Sequence, residues 1–234
     1  MKNFVIGDIH GGYKALIQCL ERSNFDYKED TLICLGDVTD GWPETPQCIE
    51  ELIKIKNLIY VIGNHDVWLD QYLKFGATPK LWTIQGGQAT VDAYLKNIDL
   101  RDKHFNFFNK SCNYYLDDKN RIFVHGGFIR GVKLEAQSST IFTWDRTLAN
   151  KCRDGHNDPN FNIREFTEVY MGHTTVNSFS KKIAPRNQPF NSGNAWLLDT
   201  GAGFEGVLTI MNIDTKEFWQ SDLVKNLYPN NIGR

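Results

Sequence analysis

The chain has 234 residues, 41% hydrophobic and 23% charged, which is enough length and apolar content to bury a sizeable core as one domain. A net charge of -2 excludes the broad basic face of an electrostatic nucleic-acid binder, and no apolar run approaches the length that crosses a bilayer. The five cysteines (Cys19, Cys34, Cys48, Cys112 and Cys152) form no Cys-x-x-Cys pair and read as reduced packing thiols; the chain enters its first strand without a charged-then-apolar leader, so the expected compartment is the cytoplasm.

In chain order, a strand is expected at about residues 2–7, from Phe4-Val5-Ile6, followed by a helix at about 12–22 with Leu16, Ile17 and Leu20 at helical spacing. A second strand at about 31–36 leads into a loop, and Thr45-Pro46 has the chemistry of a helix start. The third strand, at about 58–63, runs into a helix opened by Asn64 and closed by Gly76, with Trp68, Leu69, Tyr72 and Leu73 as its apolar stripe. This alternation is a β-α-β-α-β unit with parallel pairing. A broken helical pattern at about 81–110, interrupted by Gly86-Gly87, reads as a small helical cap, in which His104 is structural. Tyr114–Leu116 and Arg121–Val124 read as a hairpin that starts a second sheet. Residues 128–165 read as an irregular insertion with Trp144-Asp145-Arg146 in a helix and His156 in a solvated loop. A strand at about 167–171 precedes a long loop at 176–194. Strands at about 195–198 and 206–211 follow, and the last fifteen residues read as a polar surface tail. No repeat or domain linker is evident, so one domain over 1–234 is expected.

The strands share an ending. Phe4-Val5-Ile6 runs into Gly7-Asp8-Ile9-His10-Gly11, and Leu32–Leu35 into Gly36-Asp37. Leu58–Ile62 runs into Gly63-Asn64-His65-Asp66, Ile122–Val124 into His125-Gly126-Gly127, and Val169–Met171 into Gly172-His173. If these ends lie at one edge, or at two facing edges, their polar tips converge where open α/β sheets bind ligands. Asp8, His10, Asp37, Asn64, His125 and His173 then form a hard-to-borderline ligand set. That is more than one catalytic ion needs, and it suits two divalent ions bridged by a carboxylate. Such a pair supplies hydroxide for in-line attack on phosphorus and requires no protein nucleophile. His65, next to a ligand, is placed to protonate the leaving group, and Asp40, three residues past Asp37, can orient it; Asp40 also suits a plain turn. Arg146 is a candidate donor to phosphate, with a surface salt bridge as its plainer reading.

These five blocks, with Trp144-Asp145-Arg146 and Leu198-Asp199-Thr200-Gly201, resemble the calcineurin-like metallophosphoesterases, in particular the bacterial-type phosphoprotein phosphatase branch, over residues 5 to about 201. The resemblance implies an α/β fold: two mixed β-sheets flanked by helices in a four-layer sandwich. It implies two divalent ions, with manganese expected and iron, zinc or nickel as alternatives. By position, Asp8, His10, Asp37 and His173 would hold one ion and Asp37, Asn64 and His125 the other. His65 would be the general acid, Asp40 its partner, and Arg146 a phosphate-gripping arginine. One departure stands out. The family's second block carries an arginine directly after the residue matching Asp40; here that position is Gly41, followed by Trp42. Arg130 is a candidate replacement. The expected substrate is phosphoserine or phosphothreonine in proteins, or a small phosphoester. The alternatives are symmetric cleavage of dinucleoside polyphosphates such as diadenosine tetraphosphate, and a non-catalytic scaffold. No nucleic-acid or membrane partner is expected, and oligomeric state stays open.

Overall fold

The structure, a computed structural model, describes residues 1–234. The first sheet has the order β10-β9-β1-β2-β3. Its centre is β1 (Asn3–Ile6), β2 (Thr31–Cys34) and β3 (Asn57–Tyr60), all parallel. β9 (Thr209–Asn212) and β10 (Phe218–Gln220) extend it antiparallel. The second sheet has the order β4-β5-β6-β8-β7. β4 (Tyr114–Leu116) and β5 (Arg121–Val124) form the expected hairpin, and β6 (Glu168–Met171) and β8 (Ala195–Leu197) follow β5 in parallel. β7 (Phe190–Ser192) pairs antiparallel with β8, inside the segment read from sequence as loop.

The central strands are apolar on successive residues because both faces are covered. In β1, Phe4 and Ile6 join a cluster with Leu16 and Cys19 of α1 (Tyr13–Arg22) and Ile49 and Leu52 of α2 (Thr45–Ile53). Val5 faces the other way, into a cluster with Ile33 and with Phe123 and Tyr170 of the second sheet. There the two sheets meet; the Phe123 and Tyr170 rings stack at 4.8 Å and 7°. The outer face of the second sheet, through Ile122, Val124 and Met171, packs on Phe142 of α7 (Ser139–Trp144) and on Leu148 and Cys152 of α8 (Thr147–Gly155). The layers are therefore helix, sheet, sheet, helix, the sandwich that the resemblance implied. The 128–165 segment, read as irregular, supplies the fourth layer. Its helices, of six and nine residues, are too short for a strong periodic pattern.

After β3, α3 (Asn64–Phe75) ends at left-handed Gly76 as expected. The chain then forms α4 (Lys80–Trp82), a turn broken at Gln85 and Gly86, α5 (Gln88–Lys96) and α6 (Arg101–Phe108). Trp82, Tyr94, Phe107 and Phe108 of this segment enter the same apolar cluster as α1 and α2. Leu95 of α5 is exposed. The end of the chain departs most from the sequence reading. After β10 comes α9 (Val224–Leu227), Val224 and Tyr228 are buried, and the final residues turn inward. No helix is long and apolar enough to cross a membrane.

Candidate metal centre

Five loops bring the six predicted side chains together where the carboxyl ends of the parallel strands converge. Asp8 and His10 follow β1, Asp37 follows β2, Asn64 opens α3, His125 follows β5 and His173 follows β6; all are buried. The loops come this close because glycine leaves room. A Cβ at Gly63 would lie 2.1 Å from Asp37 Oδ1, and one at Gly172 would lie 2.3 Å from Asp8 Oδ1.

The imidazoles are held by their outer nitrogens. His10 Nδ1 donates to Thr39 O at 2.9 Å and His125 Nδ1 to Leu35 O at 2.7 Å, while the His173 ring hydrogen-bonds the Trp144 backbone. This fixes the tautomer and leaves Nε2 facing inward, the arrangement found in metal-ligating histidines. His10 Nε2 lies 3.9 Å from Asp8 Oδ2 and 3.9 Å from Asp37 Oδ2. His125 Nε2 lies 3.3 Å from Asp37 Oδ2 and 3.0 Å from Asn64 Oδ1. The donors form two groups, Asp8 with His10 and Asp37, and Asp37 with His125 and His173. Asp37 belongs to both. The partition implied by block order therefore changes: His173 stands with His125, its ring centroid 4.9 Å away, and not with His10. It remains tied to the first group only through its backbone N–H, which donates to the Asp8 carboxylate at 3.0 Å.

Burial and the mutual charges of these side chains set the electrostatics of the cluster. Burial, followed by the nearby Asp199, pushes Asp8 well above the usual carboxylate range. Burial would also raise Asp37, but the adjacent His125 overrides it and holds Asp37 well down. Burial opposes protonation of His125, and Asp37 overrides that too, raising it to about 9. Burial and then His125 push His173 down to about 2. Asp37 Oδ2 and His173 Nε2 are buried without a hydrogen-bond partner. Unpaired buried polar atoms are costly, and the two orphans point into the same space. Two carboxylates, one amide oxygen and three inward Nε2 atoms fit divalent ions, with Asp37 shared.

Beside this cluster, His65 Nδ1 pairs with Asp40 Oδ2 at 2.6 Å, and His65 Nε2 is buried without a partner. Asp40 is no simple turn residue. Trp82 Nε1 donates to its Oδ2 at 2.7 Å, and Thr90 Oγ1 to its Oδ1 at 2.8 Å. Sequence reasoning missed both donors, which stand 42 and 50 residues away. It also missed Asp66, whose carboxylate accepts the N–H groups of Asp37, Val38 and Gly63 and the Tyr60 hydroxyl, tying the β2 and β3 loops together. Burial, followed by Asp37, raises Asp66 to about 6.

The arginines separate. Arg146, at the start of α8 and not inside a helix, donates through Nη1 to His173 O at 2.7 Å and Thr174 Oγ1 at 3.2 Å, on the rim of the cluster. Arg130 does not come to the site; it pairs with Glu165 at 3.1 Å on the surface, because the loop after β5 carries it outward. The place beside Gly41 is taken instead by Arg234, whose Nη1 lies 3.1 Å from His10 Nε2. A single arginine in a polar tail carries no signal for this.

With this geometry in hand, the comparisons are consistent. The chain belongs to the calcineurin-like phosphoesterase family, whose sequence model matches residues 1–199. It is a metallophosphoesterase, a hydrolase with phosphatase relatives. It is 36% identical over 153 residues to a symmetrical bis(5'-nucleosyl)-tetraphosphatase of Proteus mirabilis, an alignment spanning 65% of this chain and 50% of the relative. It is 23% identical to a protein of the same description from Neisseria meningitidis over 94% of this chain and 95% of the relative. It is 34% identical to serine/threonine-protein phosphatase 1 of Salmonella typhimurium over 85 residues, 36% of this chain and 38% of the relative. Among solved structures, a candidate diadenosine tetraphosphatase superposes with a TM-score of 0.65 at 16% identity, covering 94% of this chain and 92% of the other. A protein serine/threonine phosphatase of Saccharomyces cerevisiae gives 0.58 at 13% identity, covering 94% and 79%. These two likenesses concern the fold.

Proposed function

We propose that Asp8, His10, Asp37, Asn64, His125 and His173 hold two divalent ions with Asp37 between them, and that the chain uses the pair to hydrolyse phosphoric esters. The observation that carries this reading is the buried Asp37 carboxylate, common to both donor groups. The family resemblance favours manganese, with iron, zinc or nickel as alternatives, and the mixed oxygen and imidazole set suits each of them. When bound, the ions supply Lewis acidity and hydroxide at neutral pH.

The chain's own groups do the rest. His65 gives its Nδ1–H to Asp40, which favours the doubly protonated ring, and that form carries a second proton on Nε2 for a departing oxygen. Trp82 and Thr90 hold Asp40 in turn and fix the imidazole plane. Arg146 reaches the rim beside His173 and offers a planar donor to phosphoryl oxygens. Arg130, on the surface with Glu165, takes no part.

Of the two substrate classes open from sequence, the relatives favour dinucleoside polyphosphates. Two of the tetraphosphatase alignments are longer than the phosphatase one, and Trp144, 39% exposed and edge-on to the His173 ring at 6.1 Å, offers a base a flat surface beside the site. Phosphoserine or phosphothreonine in proteins is the second reading, supported by the Salmonella relative. Turnover of diadenosine tetraphosphate and of a phosphoserine peptide by the manganese-loaded protein tests the choice. We expect kcat/KM to be at least about tenfold higher for the dinucleotide; the reverse order would favour the phosphoprotein reading. Activity that persists undiminished in metal-stripped protein would remove the metal reading altogether.

A further inference from the structure

We propose that Arg234 is the second phosphate-gripping residue of this site, delivered by the end of the chain into the place that Gly41 leaves open. The inference rests on the proposed hydrolase reading and adds a substrate-binding residue to it.

Gly41 has φ +87°, in the left-handed region, where an arginine would be strained. The backbone at the expected position therefore disfavours the expected side chain. The space above it is filled from elsewhere. A Cβ on Gly41 would lie 3.3 Å from Arg234 Cγ, one on Gly86 2.8 Å from the same atom, and one on Gly203 3.2 Å from Arg234 Cδ. Three glycines from three separate loops thus form the passage for this one stem. The tail that carries it is anchored. Arg234 N donates to Gly203 O at 2.9 Å, and upstream the Tyr228 ring stacks on Trp42, the neighbour of Gly41, at 5.2 Å.

At the head, Nη1 lies 3.1 Å from His10 Nε2, while Nε is buried with no partner. A guanidinium has five N–H donors and accepts nothing, so a lone imidazole nitrogen is a poor match for it. A tetrahedral oxyanion is a good one. Arg146 stands at the opposite imidazole, on His173 O. Two guanidinium groups thus flank the carboxylate and imidazole cluster, one at each end, and repel each other unless an anion lies between them. Because a cation on His10 would take the Nε2 lone pair that Nη1 now faces, a loaded site frees the Arg234 fork for substrate oxygens.

The test uses the full chain loaded with manganese, with inorganic phosphate as the probe. Binding is read by calorimetry, metal content by elemental analysis, and KM against kcat with p-nitrophenyl phosphate. For Arg234→Gln we expect phosphate to bind about tenfold more weakly or worse, with KM rising, metal content and melting temperature matching wild type, and Arg234→Lys in between. Added guanidinium ion should restore phosphate affinity to Arg234→Ala. Unchanged phosphate affinity in Arg234→Gln, with wild-type protein active and metal-loaded, would overturn this inference alone. So would higher metal content or faster turnover in that variant, which would make the side chain a competitor of the ion. Wild-type protein that takes up no metal and cleaves no phosphoester would instead bring down the hydrolase reading, and this inference with it.

Discussion

His10, Asp37, Asp40 and His173 all have positive φ, between 51° and 74°, a region that side-chain-bearing residues seldom occupy. Such strain persists only where the surroundings over-determine it, and at Asp37 the restraint is the Asp66 carboxylate. Replacing Asp66 with Ala strands buried N–H groups of Asp37 and Gly63 and should cost about 3 kcal/mol. Urea unfolding would register this as a lower midpoint, and an unchanged midpoint would deny Asp66 its role as tie between the loops. His65→Gln should leave metal content intact while slowing turnover of alkyl phosphates about 10²–10⁴-fold, with aryl phosphates much less affected because their leaving groups need no proton. Equal loss on both would remove His65 from the acid role. His125 gives a pH prediction. Its free form, raised by Asp37 to about 9 from an ordinary 6.5, carries a proton at neutral pH, and ligation needs the neutral ring. Apparent manganese affinity should therefore climb as pH rises toward 9 and level off above it. Calorimetry at pH near 7.5 in two buffers of different ionisation enthalpy should report a released proton; none would argue that His125 is not a ligand.

At the scale of elements, Trp82→Phe separates shape from chemistry. It keeps the buried ring in the shared core but removes the N–H that holds Asp40, so kcat should fall while thermal unfolding shifts little. A large drop in melting temperature with unchanged kcat would make Trp82 a packing residue only. The same segment shows what a sequence discloses and what it hides. The parallel strands were legible because burial on both faces makes them continuous apolar runs, and their ends because glycine precedes or follows a polar tip at each. The six candidate ligands followed from that grammar. Trp82 and Thr90 were not legible, because their bonds to Asp40 cross long stretches of chain and leave no local pattern. Nor were β7 and β10, three-residue edge strands with polar members, or α7 and α8, too short to repeat. The donors group differently from the order of the blocks because block order does not encode which sheet a loop leaves.

At the scale of the molecule, that division is the central geometric fact. Asp8, His10, Asp37 and Asn64 come from the first sheet, His125 and His173 from the second, so the site exists only while the sheets hold their register. The packing of Val5 and Ile33 of the first sheet on Phe123 and Tyr170 of the second maintains that register. Tyr170→Ala should destabilise the fold by about 3–5 kcal/mol, the usual cost of truncating a buried aromatic ring, and should weaken manganese binding without touching a ligand. The decisive measurement for the whole account is anomalous diffraction at the manganese edge from crystals of active protein. It should show two ions about 3.5–4 Å apart, one beside Asp8 and His10, the other beside Asn64, His125 and His173, with Asp37 between them. A single ion, or none, in catalytically competent crystals would contradict it.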